Sequence, residues 1–213
     1  MLRDPFALGG AFDVAVFCKR TSKVEISLHE SSSDELQRRL HQGQLDAAYL
    51  YRFHATGALE NSTVTDVRLQ VVLSASHRLA HEPEIHLEDL SNEPAIFLAL
   101  KPAPDLVISM IESLGFSPNV RWRSRNIETI RSVVGLGLAY SIIMGRSTGD
   151  RSYRGDKLVY KPIANNVSTT SVELIYAPAA MKNAKVRALR QFSKNYLNSP
   201  VTPSTAESHE THY

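Results

Sequence analysis

Glycine stops that close amphipathic segments constrain this chain most, because they mark where a helix must end and a new element must begin. In the first half, Ser32 stands three residues before Glu35, a capping-box spacing. Leu36 and Leu40 then share one helix face, Gly43 closes the helix, and residues 45–51 (LDAAYLY) follow as a strand. Ahead of that helix Val24, Ile26 and Leu28 alternate with Glu25, Ser27 and His29, the period-two mark of a half-buried strand. Together they read as a β-α-β unit, which favours a parallel sheet with a right-handed crossover. Over residues 1–20 the pattern fits a helix face or, at 13–18, a strand, and periodicity does not arbitrate over so short a run.

The second half repeats the alternation. Residues 69–73 (LQVVL) form a strand, 87–90 (LEDL) a turn or short helix, and Pro94 opens a strand over 95–98. Pro102 and Pro104 precede a helix carrying Val107, Ile111 and Leu114; Gly115 ends it and Pro118 blocks its continuation. A strand over 120–124 leads through the N-cap Asn126 into a helix over 127–134, framed by Gly135 and Gly137. Strands follow at 138–144, 158–162 and 172–176, then an amphipathic helix over 183–197 through Val186, Leu189, Phe192 and Tyr196. Two small α/β lobes are the simplest arrangement. The tail, 198–213, has too few apolar groups to offset its ordering entropy and is expected to be disordered.

Composition excludes several functions. Lys and Arg number 24 against 22 Asp and Glu, a net charge of +2, which lacks the basic excess of a free-standing nucleic-acid binder. One cysteine, Cys18, rules out an internal disulfide and any Cys-based zinc site. The opening MLRDPF places an acid and a proline where a secretory leader needs apolar residues, and no apolar run reaches the roughly 20 residues that cross a bilayer. His77 and His81 are four apart but without an acidic third ligand, so no metal site is expected. Ser31, Ser32 and Ser33 lack the surroundings of a nucleophile elbow, and Gly135 and Gly137 end a helix where a phosphate cradle would open one. No catalytic constellation and no cofactor site stands out.

Four stretches, in order, resemble the effector-binding domain of LysR-type transcriptional regulators: VEISLHESSSDELQRRLHQGQLDAAYLY (24–51), LQVVLSASHRLA (69–80), LEDLSNEPAIFL (87–98) and GFSPNVRWRSRNIETIRSVVGLGLAYSII (115–143). The last is the most specific, similar to the family's G-F-x-P-x-V, N-x-E-T and V-x-x-G-L-G motifs. The resemblance implies a two-lobed, type-II periplasmic-binding-protein-like α/β fold with two crossover strands, here at 69–74 and 172–176. Lobe I would comprise 1–74 and 175–197, and lobe II 75–174. Two departures stand out. The family's winged helix-turn-helix and linker helix have no counterpart before Val24, and the opening strand of the first lobe is shortened or missing.

The same resemblance points to an effector site formed by Ser32, Ala99, Leu100, Lys101, Arg125, Asn126 and Tyr176. Each has a plainer reading beside it. Ser32 serves as an N-cap or an effector contact, or both. Lys101, after a buried strand with Ala99 and Leu100, is a counter-ion for an acidic effector or a solvated lysine. Arg121, Arg123 and Arg125 share one strand face, for anion recognition or for solvent; Arg125 with Asn126, at the strand-to-helix turn, is the ligand candidate. Tyr176 lines the pocket or packs in the core.

The expected function is sensing of a small, anionic metabolite between the lobes, in the cytoplasm, without catalysis. The resemblance also implies a homodimer, a tetramer in a full-length regulator, built from the helix after Ser32 and the helix after Asp105. DNA would be reached only through a domain that this sequence lacks, and no membrane is involved. A solute-binding protein of a transport system shares the fold and is the alternative. An enzyme on a related fold would need a nucleophile, a metal or an acid–base pair in the cleft.

Overall fold

The computed structural model describes residues 17, 19–21, 24–52, 59–99, 103–145, 149–165 and 169–197. The expected tail at 198–213, the effector candidates Leu100 and Lys101, and Cys18 lie outside the described residues. Of the ambiguous opening, Phe17, Lys19 and Arg20 are helical.

In the first unit, helix α1 (Ser33–His41) precedes β1 (Ala48–Tyr51). Strands β2 (Glu60–Val67) and β8 (Thr170–Tyr176) complete a sheet of order β1-β8-β2, antiparallel throughout. All seven residues of β8 are buried, as expected of a middle strand covered on both faces. On one face Leu40 of α1 packs with Ala48, Leu50 and Ile175. On the other, Val64, Val67, Val172, Leu174 and Tyr176 meet Val186 of the last helix, α4 (Ala184–Leu197), whose Arg190 donates to Ser62 Oγ at 2.8 Å. Phe17 is buried against Phe192 of α4, ring centroids 5.1 Å apart.

Two expectations fail here. Residues 24–28 are not a strand, and the parallel β-α-β unit does not form, since β1 pairs antiparallel with β8. A strand needs a partner edge, and 24–28 bonds to none; Glu25, Ser27 and His29 face solvent and Leu28 remains 57% exposed. An unexpected strand, β2, appears instead. Its ladder slips between Thr63 and Thr65, so Ser62, Val64, Thr65 and Val67 are buried out of strict alternation.

The second unit follows the expected alternation. Strands β3 (Leu69–Ser74), β6 (Ser141–Met144) and β7 (Leu158–Pro162) form a sheet of order β6-β3-β7. Strands β4 (Pro94–Leu98) and β5 (Asn119–Ser124) pair in parallel, joined through helix α2 (Ala103–Glu112). A parallel bridge from Ala95 to Tyr140 carries β4 onto β6, giving the continuous order β5-β4-β6-β3-β7. Helix α3 (Ile127–Gly135) begins at Asn126 as expected. Gly115, with φ 82°, turns the chain out of α2 in the left-handed region, where a side chain would be strained.

The chain passes between the units twice. One residue, Arg68, separates β2 from β3, and Gly145 N–H holds its carbonyl at 2.9 Å. The return runs from β7 to β8.

Candidate functional site

The ladder registers decide which strand ends face each other. Val67 ends β2 and pairs with Thr170, while Tyr51 at the end of β1 pairs with Val172. The end of the first sheet nearest the crossing therefore holds Tyr51, Arg52, Asp66 and Ser171. Leu69 begins β3 and pairs with Met144, and β4 and β5 run in the same direction as β6. The facing end of the second unit thus holds Ala99, Ser124, Arg125 and Asn126.

Asn126 organises this corner. Its Oδ1 accepts the N–H groups of Glu128 (2.8 Å) and Thr129 (3.3 Å), capping α3. Its own N–H donates to Ser124 Oγ at 3.1 Å, and Ala99 N–H donates to the Ser124 carbonyl at 2.7 Å. Arg125 is exposed beside them. So Ala99, Arg125 and Asn126 are brought together. A pocket of about 340 Å3 opens next to them between β5 and α3, walled by Ile96, Trp122, Arg123, Ser124, Thr129, Val133 and Leu138. Arg121 stacks on the outside of Trp122, 4.7 Å from the ring centroid. Thr129 of α3 is exposed on the pocket wall.

The other candidates stand apart. Ser32 caps α1, its Oγ accepting Glu35 N–H over a long 3.4 Å, and the first turn carries Asp34 and Glu35. Tyr176 pairs with Glu60 at the far end of the first sheet and is buried in its core. His77 is tied to Glu93, Nε2 to Oε2 at 2.6 Å, while its Nδ1 accepts Leu79 N–H at 3.2 Å. Among the described residues no three His, Cys, Asp or Glu side chains gather to hold a metal.

Two charged clusters escaped sequence reasoning. Glu173, 1% exposed in the middle of β8, accepts hydrogen bonds at Oε1 from Arg52 Nε (3.1 Å), Thr63 Oγ1 (3.1 Å) and Ser171 Oγ (2.7 Å). An acid inside the run VELIY was the signal available for it. Arg131 of α3, also buried, pairs with Glu128 at 3.0 Å and donates to Tyr160 Oη at 2.6 Å and to the carbonyls of Gly149 and Arg151. Gly135 lets that loop close on α3, since a Cβ there would meet Asp156 Cβ at 2.7 Å. Burial holds the Tyr140 hydroxyl well above the usual tyrosine range.

Comparison with known proteins accounts for this arrangement. The family model described as the LysR substrate binding domain matches residues 14–198. The hydrogen peroxide-inducible genes activator of Dickeya chrysanthemi is 21% identical over 190 residues, covering 87% of this chain and 61% of that protein. HinK, a LysR family transcriptional regulator from Pseudomonas aeruginosa, superposes with a TM-score of 0.80 at 29% identity, covering 91% of this chain and 66% of that one. The effector-binding domain of QuiR in complex with shikimate shares the fold, with a TM-score of 0.71 at 18% identity over 91% of this chain and 92% of that one. The chain spans less than two thirds of the length of the first two. In the described residues no helix is long and apolar enough to cross a membrane. The chain belongs to the LysR substrate-binding domain family, the effector-binding domains of LysR-type transcriptional regulators, and has their type-II periplasmic-binding-protein-like fold.

Proposed function

We propose that this chain senses a small anionic metabolite held between the facing ends of its two sheets, and transforms nothing. One observation carries the reading: Arg52, Arg68 and Arg125, all exposed, stand at those ends, on the first sheet, at the crossing and on the second unit. Asp66, also exposed, and the buried Glu173 bring opposing charge to that end. The pocket beside Trp122 supplies apolar surface next to Arg125. QuiR, which has this fold, holds shikimate, a small carboxylate. Ser32, Ala99, Leu100, Lys101, Arg125 and Asn126 remain the proposed effector set, with Arg125 and Asn126 at its centre; Tyr176, buried at the far end of the first sheet, packs in the core instead. Lobe I would take the first sheet with α1 and α4, and lobe II the rest; this moves the divisions from 74/75 and 174/175 to the crossings at Arg68 and ahead of Thr170, because β3 pairs within the second unit and β8 within the first.

An effector that favours one arrangement of lobes or subunits shifts their balance by its differential affinity. In a longer regulator working in the cytoplasm, that shift would move a DNA-binding part. The chain would act as a homodimer, with α1 of one copy against α2 of the other, and four copies in a full-length regulator.

A thermal-shift screen of small carboxylates tests the sensing. A true effector at a hundred times its dissociation constant stabilises the fold by about 2.7 kcal/mol, and Arg125→Ala or Lys101→Ala weakens it. No stabilisation by any acid, or affinity untouched in both variants, refutes the site. Gel filtration tests the assembly. A dimer fits the regulator, whereas a monomer favours a solute-binding protein.

A further inference from the structure

The first sheet contains a charged group that its packing does not require. Glu173 sits opposite Leu50 on one side and Thr63 on the other, in a strand whose seven residues are all buried. All of its donors converge on one oxygen. Arg52 Nη2 lies 3.0 Å from Oε1, alongside the bonds from Arg52 Nε, Thr63 and Ser171. Oε2 is equally shut off from solvent and, among the described residues, has no hydrogen-bond partner. A buried acceptor without a donor is destabilising, so its persistence asks for an explanation. The Arg52 side chain, by contrast, is 64% exposed, and among the described residues its Nη1 donates to nothing.

We propose that Arg52 and Glu173 together recognise a small carboxylate carrying a hydroxyl or amine donor beside its acid group, a proposal that rests on the effector-sensing reading above. The pair lies toward the facing end of the first sheet, where Tyr51 precedes Arg52 and Ser171 pairs with Asp66. An anionic ligand is drawn to the exposed guanidinium. A bare carboxylate that recruits Arg52 loosens its hold on Glu173 and leaves a buried charge short of partners. A ligand that draws Arg52 off Glu173 opens the closed acid, and an O–H or N–H on that ligand then gives Oε2 the donor it lacks. Rejection of the ligand without the donor then comes from the protein's own unpaired group, which is how a buried polar site discriminates most strongly.

Isothermal titration of this chain with matched acids tests the idea: benzoate, 2-hydroxybenzoate and 2-aminobenzoate, then propionate, lactate and alanine. The donor-bearing members bind at least about tenfold more tightly than the bare acid, and the hydroxyl and amine arms show which donor is preferred. Glu173→Gln is the informative variant. Its carbonyl takes the place of Oε1 among three donors, so its amide nitrogen stands where Oε2 was and offers a donor in place of an acceptor. The preference then falls below about threefold while affinity for the bare acid stays within about threefold. Arg52→Ala weakens every acid by about tenfold or more. Equal binding of bare and donor-bearing acids overturns this proposal and leaves the sensing reading intact, as does a preference that survives Glu173→Gln. Binding of no acid at all overturns both. If Glu173→Gln fails to fold, the matched acids on the unaltered chain together with Arg52→Ala decide the matter.

Discussion

Each unit of this protein buries a charge, and the two are finished differently. In the second unit Arg131 takes its counter-ion from one helical turn away, at Glu128, and its remaining donors reach Tyr160 and two loop carbonyls. Arg131 is buried and Glu128 half-buried, with 4% and 11% of their side chains exposed. In the first unit Glu173 draws its partners from three separate strands or strand ends, its cation is mostly in solvent, and one oxygen is left over. The first arrangement fastens a loop to a helix. The second leaves Glu173 Oε2 without a hydrogen-bond donor near the place where the sheets meet.

The contrast can be broken by measurement. Arg131→Met strips a buried carboxylate, a phenol and two carbonyls of their partner at once, and should cost about 3–5 kcal/mol in urea unfolding. Arg52→Ala removes a charged hydrogen-bond donor from Glu173 but leaves Thr63 and Ser171 in place, so about 2 kcal/mol is expected. Asn126→Ala loses the cap of α3 and should cost about 1 kcal/mol, while also weakening any effector that relies on that corner. Glu173→Leu frees Arg52 into water and removes the orphan oxygen, so the unfolding free energy should change by less than about 1 kcal/mol in either direction. Should Glu173→Leu prove as damaging as Arg131→Met, the two clusters are equivalent and the contrast collapses.

The smallest effect concerns pH. The hydrogen bond from Arg38 holds the Glu35 carboxyl below its ordinary value on the exposed face of α1. The folded value then lies below the unfolded one, so this contribution is present above the ordinary carboxylate range and is lost as pH falls through the folded value. Arg38→Ala should flatten that limb of the stability curve between neutral and acid pH, by an amount small beside the effects above.

What could be read in the sequence follows from where each piece of information lies. The second unit is spelled out locally: Asn126, Gly115, Gly137 and the apolar spacing of α2 and α3 act within a few residues, and the expected helix at 127–134 is found at Ile127–Gly135. The first unit depends on partners far away. Alternation at 24–28 predicted a strand that finds no edge, whereas β2 stayed hidden because its bulge breaks the alternation. In the candidate site, Asn126 and Arg125 were legible from the cap and the strand end. Arg52 was not, because only the register of β1 and β2 against β8 brings residues 52, 63, 171 and 173 to one point. Nor was the wall at Trp122 and Thr129, which exists only once α3 lies beside β5.

Arg68 has a mechanical corollary. A spacer of one amino acid, pinned by Gly145, has no slack, so on this side the halves cannot draw apart without tearing a ladder. What such a joint permits is torsion. A metabolite wedged near it would turn one half against the other like a key, and any subunit docked on the outer helices would feel the message as a change of angle.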